Sequence, residues 1–226
     1  MEAIVLAGGL GTRLQHIIPG MPKPMAPING RPFLEYVFGY LLRNGVERTI
    51  LAVGYKAEKI SDYFGTNYNS TPIIYSYEDS PLGTGGAILK ALGICNCENV
   101  IIVNGDTYFD VNLPEMLEYH KRMGSKLTMA VKAMINFDRY GSVIIENNKV
   151  IRFDEKKPTA YGKINGGIYI VNKSVFEGMD SRVFSFEKSI LESEHSCVYA
   201  FESEGYFIDI GVPEDYYKAQ KELMYG

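Results

Sequence analysis

The chain has 226 residues, enough to bury one full core. Hydrophobic residues make up 46% and charged residues 22%, a composition that excludes intrinsic disorder. A formal net charge of -4 leaves no basic excess for a large nucleic-acid-binding face. Any bound anion must be met by a few placed cations and backbone donors, which points to a small phosphorylated ligand.

Taken in chain order, Ala3 to Leu6 reads as a buried strand that runs straight into a glycine-rich turn. Phe33, Val37, Tyr40 and Leu41 recur at helical spacing, and Gly45 ends that helix. Thr49 to Val53 is a second strand, and Lys59-Ile60 to Phe64 sits in a helix. Ile73 to Tyr77 is a third strand leading into a Pro81-to-Gly86 loop, followed by a helix over Ala87 to Leu92. Val100 to Val103 is a fourth strand, ending at Asn104-Gly105-Asp106. The alternation predicts parallel βα units.

Strands are predicted at Leu127 to Lys132, Ser142 to Ile145, Val150 to Phe153, Gly167 to Val171 and Val198 to Phe201. Their short polar connections predict antiparallel pairing. Glu214 to Met224 reads as a closing helix. With no repeat, low-complexity tract or linker, the expectation is one domain over residues 1–226, a three-layer α/β/α sandwich. Its parallel half, 1–110, would bind nucleotide, and its mixed half, 111–226, the second substrate. Ligands in such sheets collect at the carboxyl ends of the strands.

The chain opens directly on a strand pattern and contains no apolar run long enough for a membrane span. Cys95, Cys97 and Cys197 match neither a redox pair nor a common zinc spacing, and their odd count suggests reduced thiols in the cytoplasm. The histidines His16, His120 and His195 stand alone and read as surface or packing residues.

The first strand feeds Leu6-Ala7-Gly8-Gly9-Leu10-Gly11-Thr12-Arg13-Leu14. Glycines let such a turn curl around an anion and aim N–H groups inward, although a ligand-free strand-to-helix turn has the same composition. A Walker loop is excluded because Thr12-Arg13 follows Gly11, and a dinucleotide fingerprint because Leu14 stands where a third glycine belongs. Arg13 adds a planar fork matched to phosphate oxygens. Lys23, bracketed by Pro22 and Pro24, adds an ammonium on a pre-set backbone. Together they favour phosphate binding.

The loop and Pro22-Lys23-Pro24-Met25 resemble the signature of the sugar-1-phosphate nucleotidyltransferase family. The likeness continues through Pro81-Leu82-Gly83-Thr84-Gly85-Gly86, Asn104-Gly105-Asp106, Glu155-Lys156, Asn165-Gly166-Gly167 and Asp209-Ile210-Gly211 to Tyr216, and so spans the chain. Within the family, the chain resembles the branch of bacterial guanylyltransferases that act on D-glycero-α-D-manno-heptose 1-phosphate. The resemblance implies a nucleotidyltransferase, glycosyltransferase A-like fold with a Rossmann-like, mixed, mostly parallel sheet. It also implies GTP and heptose 1-phosphate as substrates and Mg2+ as cofactor, with no nucleic-acid or membrane partner. A homodimer is the assembly that metabolic enzymes commonly form.

Asp106 and Asp209 both close apolar strands. Each alone could cap a turn or helix. As a pair beside a phosphate loop they suit magnesium, which takes one or two carboxylates plus phosphate oxygens and water. The resemblance implies the metal role for both and makes Arg13, Lys23, Asp106 and Asp209 the catalytic set.

Nucleotide contacts are expected from Leu6, Ala7, Gly8, Gly9, Gly11, Thr12, Arg13, Lys23, Glu78, Pro81, Gly83, Thr84 and Asp106. A Glu78 carboxylate can accept from the adjacent N–H donors of guanine, whereas uracil offers one donor between two acceptors. Glu78 as a surface residue beside Asp79 is the alternative. Sugar-phosphate contacts are implied for Tyr140, Gly141, Glu155, Lys156, Asn165 and Asp209. Here the family's Glu-Lys-Pro is interrupted by Lys157 before Pro158. The competing readings are a mannose-1-phosphate guanylyltransferase, a small uridylyltransferase, and a non-catalytic nucleotide-sugar sensor. The last would be expected to have lost Arg13, Lys23 or a metal aspartate.

Overall fold

A computed structural model of the chain describes residues 1–9, 11–179, 182–193 and 197–223, and the backbone but not the side chain of Thr12. Leu10, His195 and Met224 lie outside the described residues. In chain order the strands and helices are β1 (Glu2–Leu6), β2 (Pro27–Ile28), β3 (Arg31–Pro32), α1 (Phe33–Arg43), β4 (Arg48–Val53), α2 (Ala57–Phe64), β5 (Asn67–Tyr68) and β6 (Thr71–Tyr77). These are followed by α3 (Gly83–Leu92), β7 (Asn99–Asn104), β8 (Thr107–Phe109), α4 (Leu113–Arg122) and β9 (Leu127–Phe137). The last are β10 (Val143–Glu146), β11 (Lys149–Phe153), β12 (Thr159–Asn172), β13 (Val198–Glu202), β14 (Phe207–Asp209) and α5 (Pro213–Glu222).

Ten strands form one mixed sheet in the order β10-β11-β13-β9-β12-β7-β1-β4-β6-β5. β7, β1, β4 and β6 run parallel, as the βα alternation predicts. β12 then reverses direction against both β7 and β9. Side chains alternate across β1, so Ala3 and Val5 enter one core and Ile4 the other. The first core receives residues of α1, α2, α4 and α5; the second receives α3 and the segment carrying Phe176, Phe186 and Ile190. The three expected layers are therefore present, with helices unequally shared between the faces.

Three local expectations are corrected. The predicted Pro81-to-Gly86 loop is cut short, because α3 begins at Gly83. Glycine is needed there because a neighbouring segment, described below, leaves no room for a side chain, and that segment's backbone bonds hold the start of the helix. β13 pairs with β9 in parallel, not antiparallel. The connection from β12 to β13 carries a 3-10 turn and a π-helical turn rather than a short polar hairpin, so it can cross over. Finally, α4 has no counterpart in the strand-dominated reading of the second half. It is nevertheless signalled by Asn112, whose side chain caps the Glu115 N–H at 3.1 Å, and by Pro114 in the first turn.

His120 is a packing residue, as expected, buried at the end of α4. Its ring nitrogens lie 2.8 Å from Thr128 Oγ1 and 3.3 Å from Asn99 Oδ1. Burial holds its pKa down, at about 4 against an ordinary 6.5. The folded state therefore binds fewer protons than the unfolded one between those values. Stability is full above the unfolded pKa and falls as pH drops through the window, by up to about 3 kcal/mol. Denaturation midpoints at pH 7 and pH 5 should show this loss, and His120→Gln should reduce it; an unchanged pH slope in the variant would assign the loss to other groups.

Candidate active site

The carboxyl ends of β1, β4, β6 and β7 open into one cleft of about 750 Å³. Leu6, Ala7, Gly8, Gly9, Gly11 and Arg13 line it from the first loop, with Lys23 on the second excursion. Glu78, Pro81, Gly83 and Thr84 line it from the end of β6 and the start of α3, and Asp106 from the turn after β7. The backbone of Thr12 opens a 3-10 turn beside it, Thr12–Leu14. Residues far apart in the sequence are thus gathered in one cleft.

Two glycines hold the first loop in shape. Gly11 has a φ of +57°, and a Cβ there would sit 2.9 Å from the Lys23 Cβ, so the loop lies directly against the lysine. At Gly8 a Cβ would lie 2.6 Å from Glu78 Oε1. The missing side chain leaves room for the carboxylate at the cleft wall. Glu78 is held by its backbone N–H to Val53 O at 2.8 Å and by Oε2 accepting from the Leu82 N–H at 3.1 Å. It is therefore an oriented group.

Lys23 joins the two aspartates. Its Nζ lies 2.5 Å from Asp106 Oδ2 and 3.5 Å from Asp209 Oδ1. Asp209 is placed by β14, which pairs with β8, so that the strand after Asp106 and the strand before Gly211 run side by side. The Gly211 N–H donates to Asp209 Oδ1 at 2.8 Å. Burial first, and then the neighbouring Asp106 charge, raise the Asp209 pKa above the ordinary carboxylate value. Two carboxylates converging on one cation, one of them costly to ionise beside the other, form a donor set that a small hard dication fits. No group of three or more His, Cys, Asp or Glu side chains suited to a metal occurs among the described residues, so phosphate oxygens and water would have to complete the shell.

Arg13 is exposed in the cleft and makes no hydrogen bond or ion pair among the described residues. It is a cation available to a ligand.

The residues expected at the sugar phosphate are placed less uniformly. The Tyr140 ring meets Phe207 edge-on at 5.8 Å, and its hydroxyl pKa is raised by burial and by the Asp209 and Asp215 charges. Arg139 pairs with Asp215 at 2.5 Å and ties this loop to the start of α5. Gly141 is close-packed on Asp154, whose carbonyl would lie 2.6 Å from a Cβ. The path from Asp209 through Tyr140 and Gly141 therefore leads to the Glu155-Lys156 loop. Lys157, the residue that departs from the family pattern, pairs with Asp154 at 3.8 Å, while Glu155 and Lys156 are exposed and make no polar contact among the described residues. Asn165 is different: Nδ2 donates to Tyr169 Oη at 2.6 Å, and Oδ1 accepts from the Gly167 N–H at 2.9 Å. That amide shapes a bulge in β12 beside Asn104 and is already engaged on both ends.

A nucleotidyl transferase family model matches residues 2–225. The chain belongs to the nucleotidyl transferase family. A D-glycero-alpha-D-manno-heptose 1-phosphate guanylyltransferase of Aneurinibacillus thermoaerophilus is 52% identical over 228 residues, covering 100% of this chain and 99% of that protein. One of the same description from Campylobacter jejuni is 47% identical, covering 96% and 97%. The crystal structure of HddC from Yersinia pseudotuberculosis complexed with GMP-PN matches with a TM-score of 0.90 at 38% identity, covering 98% of each chain.

Like the family's motifs, most of this transferase's cleft is visible in the sequence. Ala52, Gly54 and Tyr55, at and after the end of β4, line it without belonging to any of the motifs, and Gly211 and Glu187 line it from the second half of the chain. Gly211 lies within the Asp209 motif and could have been found there. Glu187 sits on a π-helical turn, Glu187–Leu191, with no motif to mark it. No helix of the described residues is long and apolar enough to cross a membrane.

Proposed function

We propose that this chain transfers GMP from GTP to D-glycero-α-D-manno-heptose 1-phosphate, releasing pyrophosphate and giving GDP-heptose. The observation that carries this reading is full-length likeness to guanylyltransferases of that sugar phosphate, on a cleft lined by Arg13, Lys23 and Asp106, with Asp209 3.5 Å from the Lys23 ammonium. A phosphate oxygen of the sugar attacks the α-phosphorus. One P–O bond forms, the bond to the β-phosphate bridge breaks, and pyrophosphate leaves with its electron pair. Both reactants are anions, so positioning and charge neutralisation dominate the barrier.

Each group then has a task. Arg13 meets charge growing on the departing pyrophosphate, and Lys23 passes from the carboxylates toward the nucleotide's phosphates. Asp106 and Asp209 would hold Mg2+, which when bound supplies neutralisation of phosphate charge. Lys156, left free by the Lys157–Asp154 pair, steers the sugar phosphate. Glu155 and the Tyr140-Gly141 segment are assigned to the sugar hydroxyls, and Asn165, its amide held by Tyr169 and Gly167, to the shape of the β12 bulge. No general base is needed, because the attacking phosphate is ionised near neutral pH. Nucleotide contacts fall mainly to 1–110 and sugar contacts to 111–226, within one domain in this reading.

The test is pyrophosphate release over four nucleoside triphosphates crossed with heptose, mannose, glucose and N-acetylglucosamine 1-phosphates. GTP with heptose 1-phosphate should have the largest kcat/KM; a maximum with mannose 1-phosphate or with UTP would overturn the corresponding half of the assignment. For the base, Glu78→Gln should erode the GTP over UTP preference by roughly tenfold, since an amide presents a donor as well as an acceptor. An unchanged ratio would move base recognition to another group.

A further inference from the structure

One clamp in the fold belongs to neither the phosphate loop nor the metal pair. Residues 182–187 cross over the start of α3 and pack on it with no room to spare. A Cβ on Gly83 would lie 2.5 Å from the Phe184 carbonyl oxygen, one on Gly85 would overlap the Phe184 ring, and one on Gly86 the Arg182 carbonyl. Backbone bonds fasten the two segments in both directions: Gly85 N–H to Phe184 O at 3.0 Å, and Phe184 N–H to Leu82 O at 3.0 Å. Glu187 completes the clamp. Its Oε2 accepts from Thr84 Oγ1 at 2.6 Å and from Ser185 Oγ at 2.7 Å, while Thr84 Oγ1 itself accepts from the Phe186 N–H at 2.9 Å.

The same turn of chain governs the nucleobase wall. Leu82, gripped by Phe184, is the residue whose N–H orients the Glu78 carboxylate. Glu187 also lines the cleft, and among the described residues its Oε1 accepts no hydrogen bond.

We infer that Glu187 is a positioning residue for the nucleotide: through Thr84 and Ser185 it locks the Leu82-to-Gly86 turn, and with it Glu78, in the shape that receives the base. The inference rests on the reading of this cleft as the GTP site. It also makes the second half of the chain part of the base pocket, so that nucleotide affinity depends on a residue about 100 positions from the loop it holds (Thr84 to Glu187, 103).

The experiment begins with calorimetric binding of GTP, ATP, CTP and UTP to the wild-type chain without sugar phosphate. Absence of any binding would remove both the functional reading and this inference. Preference for another base would remove the guanine assignment alone, and the comparison below, run with that nucleotide, would still decide on Glu187. Glu187→Ala should weaken GTP binding and raise its KM about tenfold, with kcat and the heptose 1-phosphate KM within about threefold. Glu187→Gln keeps an acceptor for both hydroxyls and should return to within about twofold. Thr84→Val should lose a similar amount, and the double variant with Glu187→Ala little more, because both remove one lock. GTP affinity unchanged in Glu187→Ala, equal losses for both substrates, or additive losses in the double variant would overturn the assignment. Should Glu187→Ala fail to fold, Ser185→Ala takes its place, since it removes a donor that holds Glu187 without lining the cleft: weakened GTP affinity with an unchanged heptose 1-phosphate KM supports the assignment, and unchanged GTP affinity overturns it.

Discussion

Arg13→Ala should lower kcat by on the order of 10²–10³-fold while the thermal midpoint stays where it is. The two halves of this expectation have separate causes. Arg13 is exposed in the cleft and has no polar partner among the described residues, so the fold loses no bond when it goes. The turn that carries it is held instead by its neighbour Leu14, which is fully buried, and by the Leu14 N–H to Gly11 O bond at 3.1 Å. A guanidinium presented to a departing anion contributes most when the charge has formed, so its loss should appear in kcat more than in the KM for GTP. Arg13→Lys should recover only part, because an ammonium cannot make the planar two-point contact. Steady-state rates and a thermal melt on the same preparations check it; near-normal turnover would take Arg13 out of the chemistry.

Asp209→Asn should abolish most magnesium-dependent turnover, by about 100-fold or more, without destabilising the protein. Asp209 is raised above the ordinary carboxylate pKa by burial and by Asp106. A carboxyl group with a higher pKa folded than unfolded is less favourable as an anion in the native state, so at neutral pH its charge works against folding. Asparagine removes the charge and keeps an oxygen for the Gly211 N–H, and Lys23 retains its partner Asp106 at 2.5 Å. The melting midpoint should therefore hold or rise as activity collapses. A magnesium titration identical to wild type would remove Asp209 from the metal site, and a collapsed midpoint would make it a structural residue.

Legibility in the sequence followed local chemistry. The parallel strands could be read because each buried strand is a short apolar run bounded by turn residues, and the cleft because many of its lining groups travel in glycine- and proline-marked runs. What escaped was long-range. The parallel pairing of β13 with β9 depends on a crossover whose path no local pattern encodes. The start of α3 looked like loop because its glycines are poor helix formers; Phe184 and Arg182 packed against them are the reason they are needed. Glu187 could not be singled out, since a lone glutamate on a turn reads as solvated surface until Thr84 is seen beside it. Lys23 shows a subtler gap. Its place in the cleft was legible, but its bridging of both aspartates was not. Asn165 likewise carried a family role, while the fold engages its amide with Tyr169 and Gly167.

The proposed transfer depends on one cleft in which two anions tolerate each other, and a crystal structure of the wild-type chain with Mg2+ and a non-hydrolysable GTP analogue tests that most directly. It should place the triphosphate against the Gly8-to-Arg13 loop and Lys23, the metal on Asp106 and Asp209, and the base beside Glu78. A nucleotide bound away from Arg13 and Lys23, or a metal that ignores both aspartates, would contradict it.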